Sequence, residues 1–141
     1  MRSQTRGRHV IYHTLEDATT ALAAAGLCEV TPVLRTAPGA VAYAGAPYLK
    51  RLAEIAAGGG PGDAHLIADC GADAAAAVAA LKAGWPAVVV TGSPAMAAKV
   101  GDIAAQLDAE CYTRRPPALD LAGLADPFAG CVAWLERGAR P

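Results

Sequence analysis

Short apolar runs alternate with helix-like stretches along most of the chain. The runs cover residues 9–12, 30–34, 64–68 and 87–90, with a weaker fifth at 110–113, and helical patterns follow at 15–25, from about 47, and at 73–83, 94–107 and 127–137. Residues 66–68 and 88–90 are apolar without alternation, as in strands that are covered on both faces. Strands that alternate with helices form βαβ units, whose right-handed crossovers make neighbouring strands parallel. We therefore expect a single three-layer α/β domain with a mainly parallel sheet of about four to five strands, flavodoxin-like or half-barrel-like.

Capping residues support these boundaries. Two helices begin with an N-capping side chain followed by proline, and three end at a glycine, which adopts the left-handed conformation easily. These residues are Ser93-Pro94, Asp126-Pro127, Gly26, Gly84 and Gly138. Pro32 lacks the N–H that a central strand uses, so we expect the second strand to begin late or to lie at an edge.

The pattern divides the chain into three parts. Residues 1–8 carry Arg2, Arg6 and Arg8 and predict a flexible basic N-terminus. Residues 9–115 form the α/β domain, and residues 116–141 form a Pro-rich turn and a C-terminal helical segment that packs on the domain or on a partner subunit. The glycine-rich stretch 58–63 follows a helix and precedes a strand, the reverse of the order in a phosphate-binding loop, so we interpret it as a linker.

Composition narrows the class of protein. The chain has 141 residues, 54% of them hydrophobic, with a formal net charge of -1, and a nucleic-acid binder would carry a basic excess. No run approaches the roughly 20 apolar residues of a membrane helix, and no signal peptide is evident, so we expect a cytoplasmic protein without a nucleic-acid or membrane partner. The four cysteines lack C-x-x-C spacing, which predicts reduced thiols and no metal site.

Candidate functional residues follow the predicted strands. Ligands of open parallel sheets bind beyond the carboxyl ends of the strands, where residues distant in sequence come together. The candidate catalytic residues are Asp69, His13 and Cys70, and the candidate ligand-binding residues are Arg35, Thr36, Thr91, Gly92 and Ser93. Together they offer a cation, a carboxylate, an imidazole, a thiol and several hydroxyl groups.

The anion-binding candidates each have a structural alternative. Gly92 and Ser93 precede a helix whose free N–H groups attract anions, but the same residues serve as an ordinary N-cap. Arg35 can hold a carboxylate or phosphate with two hydrogen bonds, or form a surface salt bridge.

The candidate acid–base residues and the candidate nucleophile also each have a structural alternative. Asp69 can act as a base or cap the next helix, and His13 can transfer a proton or satisfy a turn. Cys70 becomes a nucleophile only if a neighbour lowers its pKa, and buried inert cysteine is the alternative.

Three segments resemble part of a known family: DCG at 69–71, ALKAG at 80–84 and VVVTG at 88–92. With them, residues 64–112 resemble half of a phosphate-binding β/α barrel of the aldolase and isomerase kind. Because such a barrel needs about 200 residues or more, this chain could form at most half of one. Lys50, Lys82 and Lys99 fall in predicted helices, whereas the Schiff-base lysine of these enzymes lies on a strand, so a lysine-dependent mechanism is disfavoured.

Two functions from different classes are consistent with this sequence. The first is binding, with turnover as an open question, of a small anionic metabolite at the carboxyl edge of the sheet. The alternative is a non-catalytic oligomeric regulatory or assembly module, suggested by the alanine-rich helices and by a detached C-terminal segment, and a homo-oligomer is expected in either case. No Walker loop, G-x-G-x-x-G or H-E-x-x-H motif identifies a cofactor, which stays unknown.

Overall fold

The computed structural model of the protein describes residues 8–58 and 65–139. The basic N-terminal residues 1–7 and residues 59–63 of the predicted linker lie outside these ranges. The strands are β1 (His9–Tyr12), β2 (Val33–Thr36), β3 (His65–Asp69), β4 (Ala87–Val89), β5 (Glu110–Tyr112) and β6 (Ala118–Asp120). The helices are α1 (Leu15–Cys28), α2 (Ala40–Ala44), α3 (Ala46–Ala56), α4 (Ala74–Lys82), α5 (Pro94–Gln106) and α6 (Pro127–Ala139).

All strand pairs among the described residues are parallel, in the order β5-β4-β3-β2-β1-β6. The predicted α/β domain with a parallel sheet is confirmed, and the sheet has six strands where four to five were expected. The additional strand is β6, a three-residue stretch inside the predicted Pro-rich turn that pairs with β1. Pro32 lies just before β2, which does begin late but is central between β1 and β3.

Helix ends agree with the capping signals in part. The side chains of Thr14, Asp73 and Ser93 accept hydrogen bonds from the first turns of α1, α4 and α5. Helix α1 continues past Gly26 and ends at Glu29, which itself takes the left-handed conformation (φ 56°). Helix α6 continues through Gly138, so this glycine is not a cap.

The two faces of the sheet are covered differently. On the first face, one apolar core joins buried residues of α1 to α6 with alternate strand residues such as Val10, Leu34, Ala68 and Val88. Helices on one side are what right-handed crossovers between successive neighbouring strands produce. All six helices in the described part of the chain therefore lie on the first face of the sheet.

The second face is crossed by residues 113–117, which we call the strap. The strap connects β5 at one edge of the sheet to β6 at the other. Five strand spacings in a flat sheet amount to about 24 Å, whereas six residue steps of extended chain reach about 20 Å. The sheet must therefore curve around the strap. Beneath it lies a small second core of Val33, Ile67, Ala87 and Val89, against which Tyr112 packs.

Two buried aromatic side chains tie helix α3 to the rest of the first-face core. The Tyr12 hydroxyl donates a 2.6 Å hydrogen bond to the carbonyl of Leu49, and the Trp85 indole N–H donates one of 2.9 Å to the carbonyl of Ala46. These bonds use the polar atoms of large side chains that the core could not otherwise bury without penalty. The contacts of Tyr12 and Trp85 with α3 therefore fix the position of this helix, and so the course of the chain between β2 and α3.

Candidate anion-binding site

A charged cluster occupies the second face, where β3 ends. Asp69 is the last residue of β3 and is 0% exposed. Arg115 of the strap binds its carboxylate with two hydrogen bonds, from Nε to Oδ2 at 2.6 Å and from Nη2 to Oδ1 at 3.2 Å. The backbone N–H of Gly71 also donates to Oδ1 at 3.1 Å. The forked guanidinium and the N–H together satisfy a carboxylate that is shielded from water.

Arg35 lies on the same face, one residue before the end of β2 and not beyond the strand as expected. Its side chain is buried, with 3% of the residue exposed. Nη1 donates to the carbonyl of Pro116 at 2.9 Å and contacts His9 Nδ1 at 3.0 Å. Arg35 therefore holds the strap against the sheet, a role that the sequence analysis did not assign to it. Its Nε has no hydrogen-bond partner among the described residues.

Positive charge exceeds negative charge in this cluster. Burial lowers the pKa of Arg35, Asp69 acts in the opposite direction, and Arg115 lowers the pKa further. The hydrogen bonds to Asp69 raise the pKa of Arg115. Two guanidinium groups thus depend on one carboxylate, and within the described parts of the chain no other acidic side chain contacts either of them. Such an excess of positive charge next to buried charged groups attracts an anion.

An open cavity of about 500 Å³ borders the cluster. It is lined by the strap and the end of β5, namely Tyr112, Thr113, Arg114, Arg115, Pro116 and Pro117. Its lining includes two arginines and the hydroxyl groups of Tyr112 and Thr113, and the Tyr112 hydroxyl donates to Glu110 Oε1 at 2.7 Å. None of the described lining residues is itself acidic. Arg114 forms no ion pair with any residue that the structure describes. The volume is within the range of small-molecule sites.

A second polar pair lies at the carboxyl ends of β1 and β6. His13 Nε2 is 2.7 Å from Asp120 Oδ1, and both side chains are partly exposed, at 34% and 47%. Asp120 Oδ1 also accepts a hydrogen bond from the N–H of Ala122 at 2.9 Å, and the N–H of His13 donates to Asp17 Oδ2 at 2.9 Å. His13 is therefore oriented by contacts on two sides. Its ring remains accessible from solvent.

The remaining ligand-binding candidates are engaged in the fold. Thr36 is buried, and its hydroxyl accepts a 2.9 Å hydrogen bond from the N–H of Asp69, which ends the pairing of β2 with β3. Ser93 caps α5 by accepting from the N–H of Met96. Gly92 lies against the side chain of Met96, where a Cβ would meet its sulfur at 2.6 Å. The N–H of Thr91 donates to the carbonyl of Gly71 at 2.8 Å, so the ends of β3 and β4 do meet.

Cys70 points away from the charged cluster. It is 1% exposed within the first-face core, and its sulfur contacts the carbonyl of Ala68 at 3.6 Å. Burial, with Asp69 and Asp73 adding to it, raises the pKa of the Cys70 thiol to about 12. A nucleophilic role is disfavoured because the reactive form of cysteine is the thiolate. All four cysteines are unpaired.

Alkylation tests this assignment. A thiol with a pKa of about 12 is about 0.01% ionised at pH 8, against about 25% for an ordinary thiol with a pKa of about 8.5, and burial blocks access as well. We expect iodoacetamide at pH 8 to leave Cys70 unmodified in the native protein and to modify it fully in urea, as measured by peptide mass spectrometry. Cys28, which is less buried, serves as the internal comparison. Rapid native labelling of Cys70 would contradict the assignment.

The structure brings Asp69 and Arg35 into one cluster but keeps His13 on a different strand end. Sequence reasoning missed His9, Arg114, Arg115 and Asp120. The sequence did contain a signal for Arg114 and Arg115. They precede two prolines, which favour an extended segment, and a pair of basic residues in such a segment is not explained by the solvent-exposed face of a helix. Asp120 had none, because its partner His13 is 107 residues away.

Other classes of site and other proteins give no further identification. Among the described residues, no group of three or more histidine, cysteine or acidic side chains could hold a metal ion, and no helix is long and apolar enough to cross a membrane. Comparison of the chain with protein-family models and with curated proteins found no match.

Proposed function

We propose that the protein binds a small anionic molecule, carrying a phosphate or a carboxylate, at the carboxyl edge of its parallel sheet. The anion contacts Arg114 and Arg115 in the strap cavity. The observation that carries this proposal is the charge balance: among the described residues, Asp69 is the one acidic side chain that compensates Arg35 and Arg115, and the neighbouring cavity is lined by two arginines.

The geometry of the cluster supports an anion over a neutral ligand. Arg115 keeps part of its surface open, with 37% of its side chain exposed, although two of its N–H groups are bound to Asp69. A guanidinium has five N–H donors, so donors of Arg115 remain for a ligand. Arg114 provides further N–H donors, and it forms no ion pair with any described residue. The resemblance of residues 64–112 to a phosphate-binding barrel half favours phosphate as the first anion to test.

One of the two observations that suggested an assembly module, a detached C-terminal segment, does not hold in the structure. Instead, α6 packs extensively on α1 and β6 pairs with β1 of the same chain. The indole N–H of Trp134 in α6 also donates to the carbonyl of His9 at 3.0 Å. The segment is thus part of the fold.

A substitution at Arg114 tests the proposed function without disturbing the fold. We expect inorganic phosphate to bind the wild-type protein in isothermal titration calorimetry at low salt, and Arg114→Gln to weaken binding about tenfold. A charge-assisted hydrogen bond contributes about 1.5–3 kcal/mol, which is enough for that ratio. Binding should also weaken as salt is raised, because Arg114 is exposed.

Arg51→Gln is the matched control, since Arg51 is an exposed arginine on α3 whose contact with Glu54 is long, at 3.7 Å. It should leave phosphate affinity unchanged. Equal affinity in the wild type and in Arg114→Gln, or no binding of phosphate, citrate or sugar phosphates by any variant, would argue against the proposed function.

A further inference from the structure

The His13–Asp120 pair lies on the same face of the sheet as the anion site. Side chains alternate along a strand, and Asp120 is in register with Ile11, two residues before His13. Val10 and Tyr12 belong to the first-face core, so Ile11 and its alternation partners belong to the second face. Asp69, Arg35 and Arg115 are on this second face too. The two groups therefore lie on one face of the sheet.

We propose, on the basis of the proposed function, that the ligand is a hydroxylated anion of about six carbons. Its phosphate or carboxylate binds Arg114 and Arg115, and a hydroxyl group at its far end donates a hydrogen bond to Nδ1 of His13.

Asp120 determines which nitrogen of His13 is the acceptor. A carboxylate oxygen 2.7 Å from Nε2 accepts a hydrogen bond, so Nε2 carries the proton in the neutral ring. Nδ1 is then the bare nitrogen, and it has no hydrogen-bond partner among the described residues. The N–H of Ala122 holds Asp120 in place. With a neutral ring, the pair thus presents one fixed acceptor to a protic group.

The spacing of the strands sets the length of the ligand. His13 follows β1, Asp69 holds the guanidinium of Arg115 at the end of β3, and β2 lies between these strands. Two strand spacings amount to about 10 Å, close to the length of an extended six-carbon chain with a phosphate. After β2 the chain continues as Ala37-Pro38-Gly39. None of these residues places a charged side chain between His13 and the guanidinium of Arg115.

The strap leaves this path open. It runs from the carboxyl end of β5 to the amino end of β6, so it crosses the sheet diagonally and moves away from the carboxyl ends of β1 and β6. The partial exposure of His13 and Asp120, at 34% and 47% of their side chains, agrees with an uncovered end.

The charges around His13 define the far end of the ligand. Asp120 contacts its ring, and Asp17 at the start of α1 accepts from its backbone N–H. Two carboxylates next to the imidazole repel a second anionic group. The ligand should therefore carry one anion and a neutral hydroxyl group, which excludes dicarboxylates and aldonic acid phosphates as preferred ligands.

Three probes of known length and charge test this inference: inorganic phosphate, sorbitol 6-phosphate and 6-phosphogluconate. We expect sorbitol 6-phosphate to bind the wild-type protein about fivefold to tenfold more tightly than phosphate, as one additional hydrogen bond provides. The chain of 6-phosphogluconate is as long but ends in a carboxylate, so it should bind more weakly than sorbitol 6-phosphate. His13→Leu should reduce the preference for sorbitol 6-phosphate over phosphate to about one, with phosphate affinity retained. His65→Leu, at the amino end of β3, is the matched control and should retain the wild-type preference for sorbitol 6-phosphate over phosphate.

A measurement on the wild-type protein covers the case in which His13→Leu does not fold. In two-dimensional ¹⁵N spectra of the histidine rings, Nδ1 of His13 should shift on addition of sorbitol 6-phosphate and stay unchanged with phosphate. If inorganic phosphate binds as tightly as sorbitol 6-phosphate, or if Nδ1 of His13 does not shift on addition of sorbitol 6-phosphate, this inference is overturned and the proposed function stands. If none of the probes binds, both are overturned.

Discussion

Replacement of Arg115 by methionine is expected to lower the free energy of unfolding by about 2–3 kcal/mol. Removal of one partner from a buried ion pair leaves the other charge uncompensated, which destabilises proteins by about 3–5 kcal/mol. Asp69 is 0% exposed, but 37% of the Arg115 side chain is exposed, so water can partly solvate the carboxylate once Arg115 is replaced. We therefore expect a value at or below the low end of that range. Urea denaturation monitored by circular dichroism measures the effect.

A double-mutant cycle separates the pair from its surroundings. Asp69→Asn combined with Arg115→Met should be more stable than the sum of the two single effects predicts, by at least about 1 kcal/mol, since the double variant has no unpaired charge. Arg51→Met, which breaks only an exposed contact to Glu54, should change stability by less than about 0.5 kcal/mol. Additive effects of the two substitutions at the pair would show that Arg115 does not stabilise Asp69.

Trp85→Ala is expected to lower the free energy of unfolding by about 3–5 kcal/mol, the range for removal of a large buried aromatic side chain. Trp85 is 1% exposed and is the largest of the fully buried side chains among the described residues. Its loss opens a cavity between α3 and α4 and leaves the carbonyl of Ala46 without its 2.9 Å hydrogen bond. Equilibrium denaturation in urea measures the change.

Trp85→Phe provides the graded comparison. It removes the hydrogen bond and part of the volume, so we expect a destabilisation of about 1–2 kcal/mol. A loss below 1 kcal/mol for Trp85→Ala would contradict the packing of α3 described above. Neither variant should change the affinity for phosphate, because Trp85 lies on the first face of the sheet and the strap cavity lies on the second.

The local pattern of the chain was enough to predict most elements. The apolar runs at β1 and β4 and the capping signals at Ser93 and Asp126 depend on neighbouring residues only, so their positions could be read directly. Strand β6 was missed because three residues, Ala118–Asp120, carry too little periodicity to distinguish a strand from a turn. Helix α2 was missed for the same reason, since it has five residues between Gly39 and Gly45.

The site was predicted less completely. Asp69 and Arg35 were expected to lie at the same edge of the sheet because they belong to neighbouring parallel strands, and the structure places both in the charged cluster. Ser93 was predicted to bind an anion, and in the structure its hydroxyl caps α5. Arg115 became part of the site through the path of the strap across the second face, and no pattern within residues 113–117 indicates where that path leads.

By itself, the amino-acid sequence determined the class of fold, because periodicity, caps and the alternation of strands with helices are short-range properties. Only the tertiary structure decided which polar residues meet. The curvature of the sheet brings its two edges close enough for five residues to connect them, and that connection places Arg115 on Asp69 and aligns Asp120 with His13. Contacts between residues 46 and 107 positions apart depend on the whole chain, so the chemistry of this site follows from the fold and not from any one segment.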